Sequence, residues 1–97
     1  MHHVESDSLN QLFDAIVNLK SRQDCSQFFE DICTVKEMLD MAQRLDVAVL
    51  LDRGTSYQAI AQQVNVSTAT ISRVSRCLNY GSGGYRMALD RLKEASK

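Results

Sequence analysis

Apolar residues recur at helical spacing through nearly the whole chain, and an alternating pattern typical of strands never lasts. Near the N-terminus, Ser8 and Gln11 form a capping box at the start of one apolar stripe with the spacing i, i+3, i+4, i+7 and i+8. This pattern predicts a helix that runs to about Arg22, and a shorter helix is expected after Asp24. The stripe consists of Leu9, Leu12, Phe13, Ile16 and Val17.

A long middle helix is predicted from a second capping box, Thr34 with Glu37, to Gly54, because glycine is a common C-terminal stop. Its apolar residues extend round most of the helix, so most of its surface must be covered. A chain of 97 residues is too short to cover this helix and the N-terminal stripe together, since small chains bury a low fraction of their surface. A second copy would cover both, and the pattern therefore predicts an all-α homodimer of about six helices per chain.

Residues 57–78 have the apolar spacing of a helix-turn-helix, which is two short helices joined by a tight turn. Ala61 is small enough to let the two helices cross closely, and Val64 is expected to end the first of them. Asn65 suits the turn because asparagine tolerates the left-handed backbone better than most residues. Ile71 and Val74 are expected to face back from the second helix toward the first.

Capping residues and a glycine-rich break predict where the later helices begin. Thr55 with Gln58 forms a third capping box before the helix-turn-helix, and Ser67 is expected to cap its second helix. Residues 81–84, GSGG, form the one flexible break before a last amphipathic helix. The chain is thus predicted to form one domain over residues 1–97, with dimerisation helices at about 8–54, the helix-turn-helix at about 55–78 and a C-terminal helix at about 84–96.

The outward face of the second helix is small and polar first and cationic later, which suits a helix that lies in the DNA major groove. An αα-hairpin with a solvated outer face is the alternative. It is disfavoured because no acidic residue occurs from Ser56 to Asn79, although the chain has 12. The predicted DNA-binding residues are Ser56, Tyr57, Gln58, Ser67, Thr68, Ala69, Thr70, Ser72, Arg73 and Arg76.

The net charge of −1 is low for a DNA-binding protein, where a basic domain is usual. Its distribution changes the picture, because all the acidic residues except Asp90 and Glu94 precede Arg53. The part that holds the helix-turn-helix is therefore positive. The weak overall charge still predicts modest affinity for non-specific DNA and a shallow salt dependence.

The remaining chemistry excludes several classes of protein. Cys25, Cys33 and Cys77 show no metal-ligand spacing, and reduced thiols in the cytoplasm are expected. No apolar run approaches membrane-spanning length, so no membrane partner is expected. The chain has no H-E-x-x-H motif, no glycine-rich phosphate loop and no cysteine beside a histidine, and its two histidines, His2 and His3, are at the N-terminus. We therefore expect no enzyme activity, catalytic residue, metal or cofactor.

The chain resembles the Trp repressor family, and more closely its TrpR-like YerC/YecD branch, in the stretches QRLDVAVLLDRGTSYQAIAQQ and STATISRVSRCLNYGSGGY. The resemblance extends from roughly Thr34 to the C-terminus, and the N-terminal helix is similar in pattern only. It implies an intertwined, all-helical homodimer whose N-terminal helices cross between the subunits. It also implies that double-stranded DNA is the partner of the helix-turn-helix.

The resemblance further implies a site for a small-molecule effector beside the second helix of the motif. Arg44 and Arg73 match the two arginines that flank the ligand in the Trp repressor, and Thr34 matches a backbone region that touches its amino group. Val74 stands where the repressor has a glycine that leaves room for the indole, and Cys77 stands where it has a serine. Asp31 and Cys33 replace two leucines that the partner subunit contributes there.

These departures predict against tryptophan as the effector. A smaller carboxylate between the two arginines, or no effector at all, is expected instead. The alternative interpretations of the same residues also stand, in which Thr34 is simply a helix cap and Arg44 an ion-pair partner of Asp40 or of an acid on the partner chain. The candidate effector-binding residues are Thr34, Arg44, Arg73, Val74 and Cys77.

Two functions from different classes follow from the sequence. The first is a sequence-specific DNA-binding transcription regulator, in particular a repressor, that uses the helix-turn-helix in the major groove. The second is a helical dimer that acts as a protein–protein interaction module with little DNA binding, and the near-neutral net charge is its best support.

Overall fold

The computed structural model describes residues 6–96, and within this range all regular secondary structure is helical. The predicted all-α fold of about six helices is confirmed. Residues 1–5, which include His2 and His3, lie outside the described residues. The helices are α1 (Asp7–Val17), α2 (Arg22–Ile32), α3 (Val35–Asp52), α4 (Tyr57–Val64), α5 (Thr68–Tyr80) and α6 (Gly84–Ala95).

The chain divides into two compact units. The first extends to Met38 and the second begins at Leu39, so the boundary falls inside α3. The division of the chain into a single domain with three functional segments stays a prediction.

The first helix begins and ends earlier than its sequence pattern suggests. The Ser6 hydroxyl accepts the Leu9 N–H at 3.0 Å, so Ser6 is the N-cap and the predicted capping box at Ser8 is wrong. At the other end, the Asn18 side-chain amide donates to the Asp14 carbonyl at 2.6 Å. This contact satisfies a carbonyl of the last turn, and the helix ends at Val17 instead of continuing to about Arg22.

A serine cap also sets the start of α2. The Ser21 hydroxyl accepts the Asp24 N–H at 3.0 Å, and the Asp24 carboxylate accepts the Lys20 N–H at 3.0 Å. The helix therefore begins at Arg22, ahead of Asp24, and not after it as predicted.

The capping box predicted at the start of α3 is confirmed. The Thr34 N–H donates to Glu37 Oε1 at 2.9 Å, and the Glu37 N–H donates to Thr34 Oγ1 at 3.1 Å. Each residue thus satisfies a backbone donor of the other.

The first unit has no core of its own. In its described residues, 6–38, no side chain is buried. Large apolar side chains stay in contact with water instead, and Phe13 is 52% and Val17 77% exposed. Phe28 and Phe29 pack edge to face with ring centroids 5.5 Å apart, yet both remain only half-buried. This unit alone removes little apolar surface from water.

The second unit contains a small, well-buried core. It draws on four helices, with two buried side chains from α3, one from α4, two from α5 and one from α6. Burial of a branched aliphatic side chain contributes roughly 1.5–3 kcal/mol, so this core is the main source of stability in the described part of the chain. The buried residues are Val47, Ala48, Ile60, Ile71, Val74 and Leu89.

A glycine turn joins α3 to the helix-turn-helix. Gly54 has a φ of 84°, a left-handed conformation that glycine adopts without strain. The Thr55 N–H donates to the Leu50 carbonyl at 3.0 Å, so Thr55 still belongs to the end of α3. The N-cap of α4 is Ser56, whose hydroxyl accepts the Ala59 N–H at 3.2 Å. The predicted capping box of Thr55 and Gln58 is therefore wrong by one residue.

Two ion pairs tie the end of α3 to α6. Asp52 Oδ1 and Oδ2 lie 2.8 Å from a guanidinium nitrogen of Arg86 and 2.8 Å from Lys93 Nζ, respectively. The Asp52 side chain is only 14% exposed. The hydrogen bond from Arg86, followed by that from Lys93, lowers the pKa of Asp52 to about 2. The hydrogen bond between Arg86 and Asp52 also raises the pKa of Arg86 above its ordinary value.

Among the described residues, none of the helices is both long and apolar enough to span a lipid bilayer.

Candidate nucleic-acid interface

The turn between α4 and α5 has the geometry predicted for it. Asn65 follows Val64 with φ 59° and ψ 50°, in the left-handed region, and its N–H donates to the Ala61 carbonyl at 3.1 Å. The Ser67 hydroxyl then accepts the Thr70 N–H at 3.2 Å and caps α5 as predicted. The chain thus reverses between the two helices within three residues, Asn65 to Ser67.

Burial of one side of α5 sets the direction of the other side. Ile71 and Val74 are almost completely buried, as their spacing predicted. In an α-helix, residues with this spacing share one face, and the opposite face must point away from the core. The exposed residues on the remainder of the helix are Thr68, Ala69, Ser72, Arg73, Arg76, Cys77, Asn79 and Tyr80.

Ser67 and Thr70 help to form the start of α5 in addition to their predicted role in DNA binding. Their hydroxyl oxygens lie 3.1 Å apart, and Thr70 is half-buried. Ser67 is exposed and caps the helix. Of the predicted DNA-binding residues of α5, Thr70 is thus the least accessible.

The N-terminus of α4 presents a second polar surface. Ser56, Tyr57 and Gln58 are all exposed there. The first turn of a helix has backbone N–H groups without intrahelical partners, and these favour an anion. This helix end can therefore bind a phosphate oxygen through its backbone.

The motif lies in a long stretch without negative charge. No acidic residue occurs between Asp52 and Asp90, and four arginines do. Arg53, Arg73 and Arg76 are exposed, and Arg86 pairs with Asp52. The exposed face of α5 therefore carries only neutral and positive side chains.

A cavity of about 340 Å³ lies between α3 and the start of α5. Arg44 and Arg73, two of the candidate effector-binding residues, both line it. The full lining is Asp40, Gln43, Arg44, Asn65, Val66, Ser67, Thr70 and Arg73.

The other three candidate effector residues lie elsewhere. Val74 points into the core with Ile60 and Ile71, and Cys77 is exposed on α5. Thr34 caps α3 in the first unit. The assignment of these three residues to an effector site stays a prediction.

Sequence reasoning missed several residues of this cavity. Gln43 was not singled out, and Asp40, one helical turn before Arg44, was interpreted only as an ion-pair partner of that arginine. Asn65 was interpreted only as a turn residue, and its place in the cavity depends on a long-range contact. Across residues 6–96, no three His, Cys, Asp or Glu side chains are grouped so that they could hold a metal ion.

The family model described as Trp repressor protein matches residues 7–93 of the chain. The chain belongs to the Trp repressor family. The match includes α1 and α2, so the Trp repressor family pattern extends well upstream of Thr34, where the resemblance in residues was expected to begin.

Relatives within the Trp repressor family support this assignment. The chain is 54% identical over 86 residues to the "uncharacterized protein YerC" of Bacillus subtilis (strain 168). The aligned region covers 89% of this chain and 83% of that protein. A TrpR-like protein from Eubacterium eligens ATCC 27750 has a crystal structure with a TM-score of 0.89, 45% identity and 92% coverage of both chains. A structure from Staphylococcus aureus has a TM-score of 0.88 and 47% identity, and covers 92% of this chain and 89% of that one.

Proposed function

We propose that this protein is a sequence-specific DNA-binding transcription regulator, in particular a repressor, that binds as a homodimer. The observation that carries the proposal is the exposed face of α5. Small and polar side chains at its start and arginines further along are held outward by the buried Ile71 and Val74, in a stretch without acidic residues. Membership of the Trp repressor family supports the same class of function.

In the proposed complex, α5 lies in the major groove. Thr68, Ala69 and Ser72 are small enough to approach base edges, and Arg76 can donate two hydrogen bonds to a guanine. The N-terminus of α4 meets a phosphate through its backbone N–H groups, with Tyr57 and Gln58 beside it. Phosphate contacts of this kind set the register of the protein on DNA, and contacts to base edges give the specificity.

We infer dimerisation from the apolar surface of the N-terminal helices. Phe13, Val17, Ile32 and Val35 are all more than half exposed in the single chain. Exposed apolar area of this extent is typical of an association surface. A two-fold dimer would place two copies of α5 in successive major grooves, about 34–36 Å apart.

We also propose a small carboxylate as the ligand of the cavity that Arg44 and Arg73 line. A guanidinium presents a planar fork of donors that matches a carboxylate. Tryptophan is disfavoured because Val74 replaces a glycine, and overpacking of this kind typically costs about 1–3 kcal/mol. In the single chain Val74 is buried with Ile60 and Ile71 and is not among the residues that line the cavity, so the argument against tryptophan rests on the family resemblance at this position.

Selection of bound sequences from a random DNA pool, with and without single amino acids, tests the proposal. The expected result is an enriched site with two-fold symmetry. Enrichment that improves with a small amino acid would support the ligand proposal. Calorimetric titration with L-tryptophan should show no binding, and a dissociation constant of about tens of micromolar together with tighter operator binding would contradict the argument from Val74.

Arg76→Ala tests the DNA face itself. If Arg76 contacts a guanine, binding to the selected site should weaken by about 1–3 kcal/mol, with specificity relaxed at one position of each half-site. Arg91→Ala on α6 is the matched control, because it removes the same charge from an exposed position outside the motif. Equal, small effects of the two substitutions would remove Arg76 from the interface.

A protein–protein interaction module is the second candidate, and the net charge of −1 favours it. This function predicts no enriched DNA sequence in the selection.

A further inference from the structure

Tyr80, the last residue of α5, is left in water to an unusual degree. Its side chain is 86% exposed, more than any other exposed large apolar or aromatic side chain in the described part of the chain. Within residues 6–96, its hydroxyl has no hydrogen-bond partner. Neither the core nor a neighbouring polar group therefore explains why an aromatic ring is at this position.

The position of Tyr80 on α5 relates it to the proposed DNA face. It follows Arg76 by four residues, Arg73 by seven and Ala69 by 11, and side chains with this spacing share one side of a helix. That side is opposite to Ile71 and Val74, which point into the core. Tyr80 thus extends the row of exposed side chains that begins at Ala69.

The end of the helix leaves this side of Tyr80 uncovered. The Gly81 N–H donates to the Cys77 carbonyl at 2.9 Å, and a Cβ atom at position 81 would collide with that same carbonyl oxygen. Only glycine permits this close approach, and the chain leaves the helix directly after Tyr80. No further helical turn follows that could shield the ring.

The length of α5 decides what Tyr80 can reach. Ala69 and Tyr80 are separated by about 16 Å along the helix axis, at about 1.5 Å per residue. The major groove is only about 12 Å wide. A helix whose first residues contact base edges within the groove therefore brings its last residue to the groove edge, where the phosphates lie.

We propose that Tyr80 donates its hydroxyl to a DNA phosphate at the edge of each half-site. The inference rests on the proposed DNA-binding function and adds one contact to it. Tyrosine hydroxyls are common donors to phosphate oxygens. The approach is not opposed by charge, since Arg73 and Arg76 are the charged side chains on this face of α5.

A neutral donor differs from a cation in its salt dependence. An arginine that binds a phosphate displaces counterions, and its loss reduces the slope of log K against log salt by about one. The tyrosine hydroxyl carries no charge and displaces none. Loss of the Tyr80 contact should therefore lower the affinity equally at every salt concentration and for every sequence.

Tyr80→Phe, which removes only the hydroxyl, tests the proposal by fluorescence anisotropy with the selected operator over a salt series. We expect affinity to fall by about tenfold, as for one hydrogen bond to a charged acceptor, with the salt slope and the base preferences unchanged. Tyr85→Phe is the matched control, since it removes a hydroxyl from a half-buried tyrosine on α6, and it should bind as the wild type does.

Operators with single methylphosphonate substitutions locate the phosphate. The methylphosphonate that removes the acceptor of the Tyr80 hydroxyl should weaken operator binding by the wild type and leave operator binding by Tyr80→Phe unchanged. If Tyr80→Phe binds the operator as tightly as the wild type does, while Arg76→Ala binds it more weakly, the Tyr80 contact is overturned and the DNA-binding function stays intact. Absence of any enriched DNA sequence would overturn both.

Discussion

The two compact units of the chain differ in how they bury their apolar side chains. No side chain is buried in residues 6–38, and several large apolar ones are mostly exposed. Residues 39–96 bury six apolar side chains, contributed by four helices. Both units contain amphipathic helices, so amphipathic pattern alone does not determine whether a helix finds a core within its own chain.

The difference separates two tasks. The second unit contains the helix-turn-helix and a core to which α3, α4, α5 and α6 all contribute. The first unit leaves large apolar side chains such as Phe13 and Val17 exposed. We infer that association resides mainly in the first unit and DNA recognition in the second.

The largest expected effect is on the core of the second unit. Ile71→Ala should lower the free energy of unfolding by about 2–5 kcal/mol, because the residue is completely buried and its truncation leaves a cavity. Urea denaturation measures the change. Ser72→Ala, next to it on the exposed side of α5, should change stability by less than about 0.5 kcal/mol. Similar losses for both variants would show that this core does not carry the stability.

Phe13→Ser addresses the first unit and should act on association. If a partner chain covers the ring, its loss should weaken dimerisation by about 1.5–3 kcal/mol for each buried copy. Sedimentation over a range of protein concentrations measures this change. Gln11→Ser, on the opposite side of α1, is the control and should dimerise normally. A wild-type protein that stays a folded monomer would contradict the assignment of α1 to association.

The smallest expected effect concerns Asp52, whose ion pairs with Arg86 and Lys93 belong to the second unit. Its pKa is lowered in the folded state, so its contribution to stability is present above pH 4 and is lost as the pH falls toward 2. Asp52→Asn should therefore be less stable than the wild type at pH 7, and the difference should disappear near pH 2. The two cations are substantially exposed, which weakens the pairs by solvent screening. Urea denaturation across this pH range checks the prediction, and a constant difference at all pH values would contradict it.

The sequence predicted the type of each helix better than its start. Long periodic stretches identify a helix reliably, because many apolar positions must agree at once. The start of a helix depends on one capping hydrogen bond. At the starts of α1 and α4, two nearby hydroxyl residues could each form that bond. Ser6 is the cap instead of Ser8, and Ser56 instead of Thr55. Thr55 is excluded because its N–H already completes the end of α3, which the local pattern does not reveal.

The candidate site also has one part that the local sequence pattern predicts and one part that it does not. The exposed face of α5 could be predicted because the burial of Ile71 and Val74 determines it. The cavity beside Arg73 could be predicted only through the two arginines that match the Trp repressor family. Its remaining lining depends on the approach of α3 to α5, and the pairs of Asp52 join residues 34 and 41 positions apart. Helical periodicity contains no information about contacts at such separations.

Within residues 6–96, the buried side chains all lie between Val47 and Leu89, and this has a consequence for hydrogen exchange. Amide protons around Ile71 and Val74 are released only when the core opens, so they should be among the slowest to exchange with solvent. The described part of α1 and α2 contains no buried side chain, so in the proposed dimer the protection of their amides would come from the partner chain. Dilution of the protein therefore accelerates exchange in α1 and α2 first, and the recognition surface of α5 keeps its backbone structure after the dimer has begun to loosen.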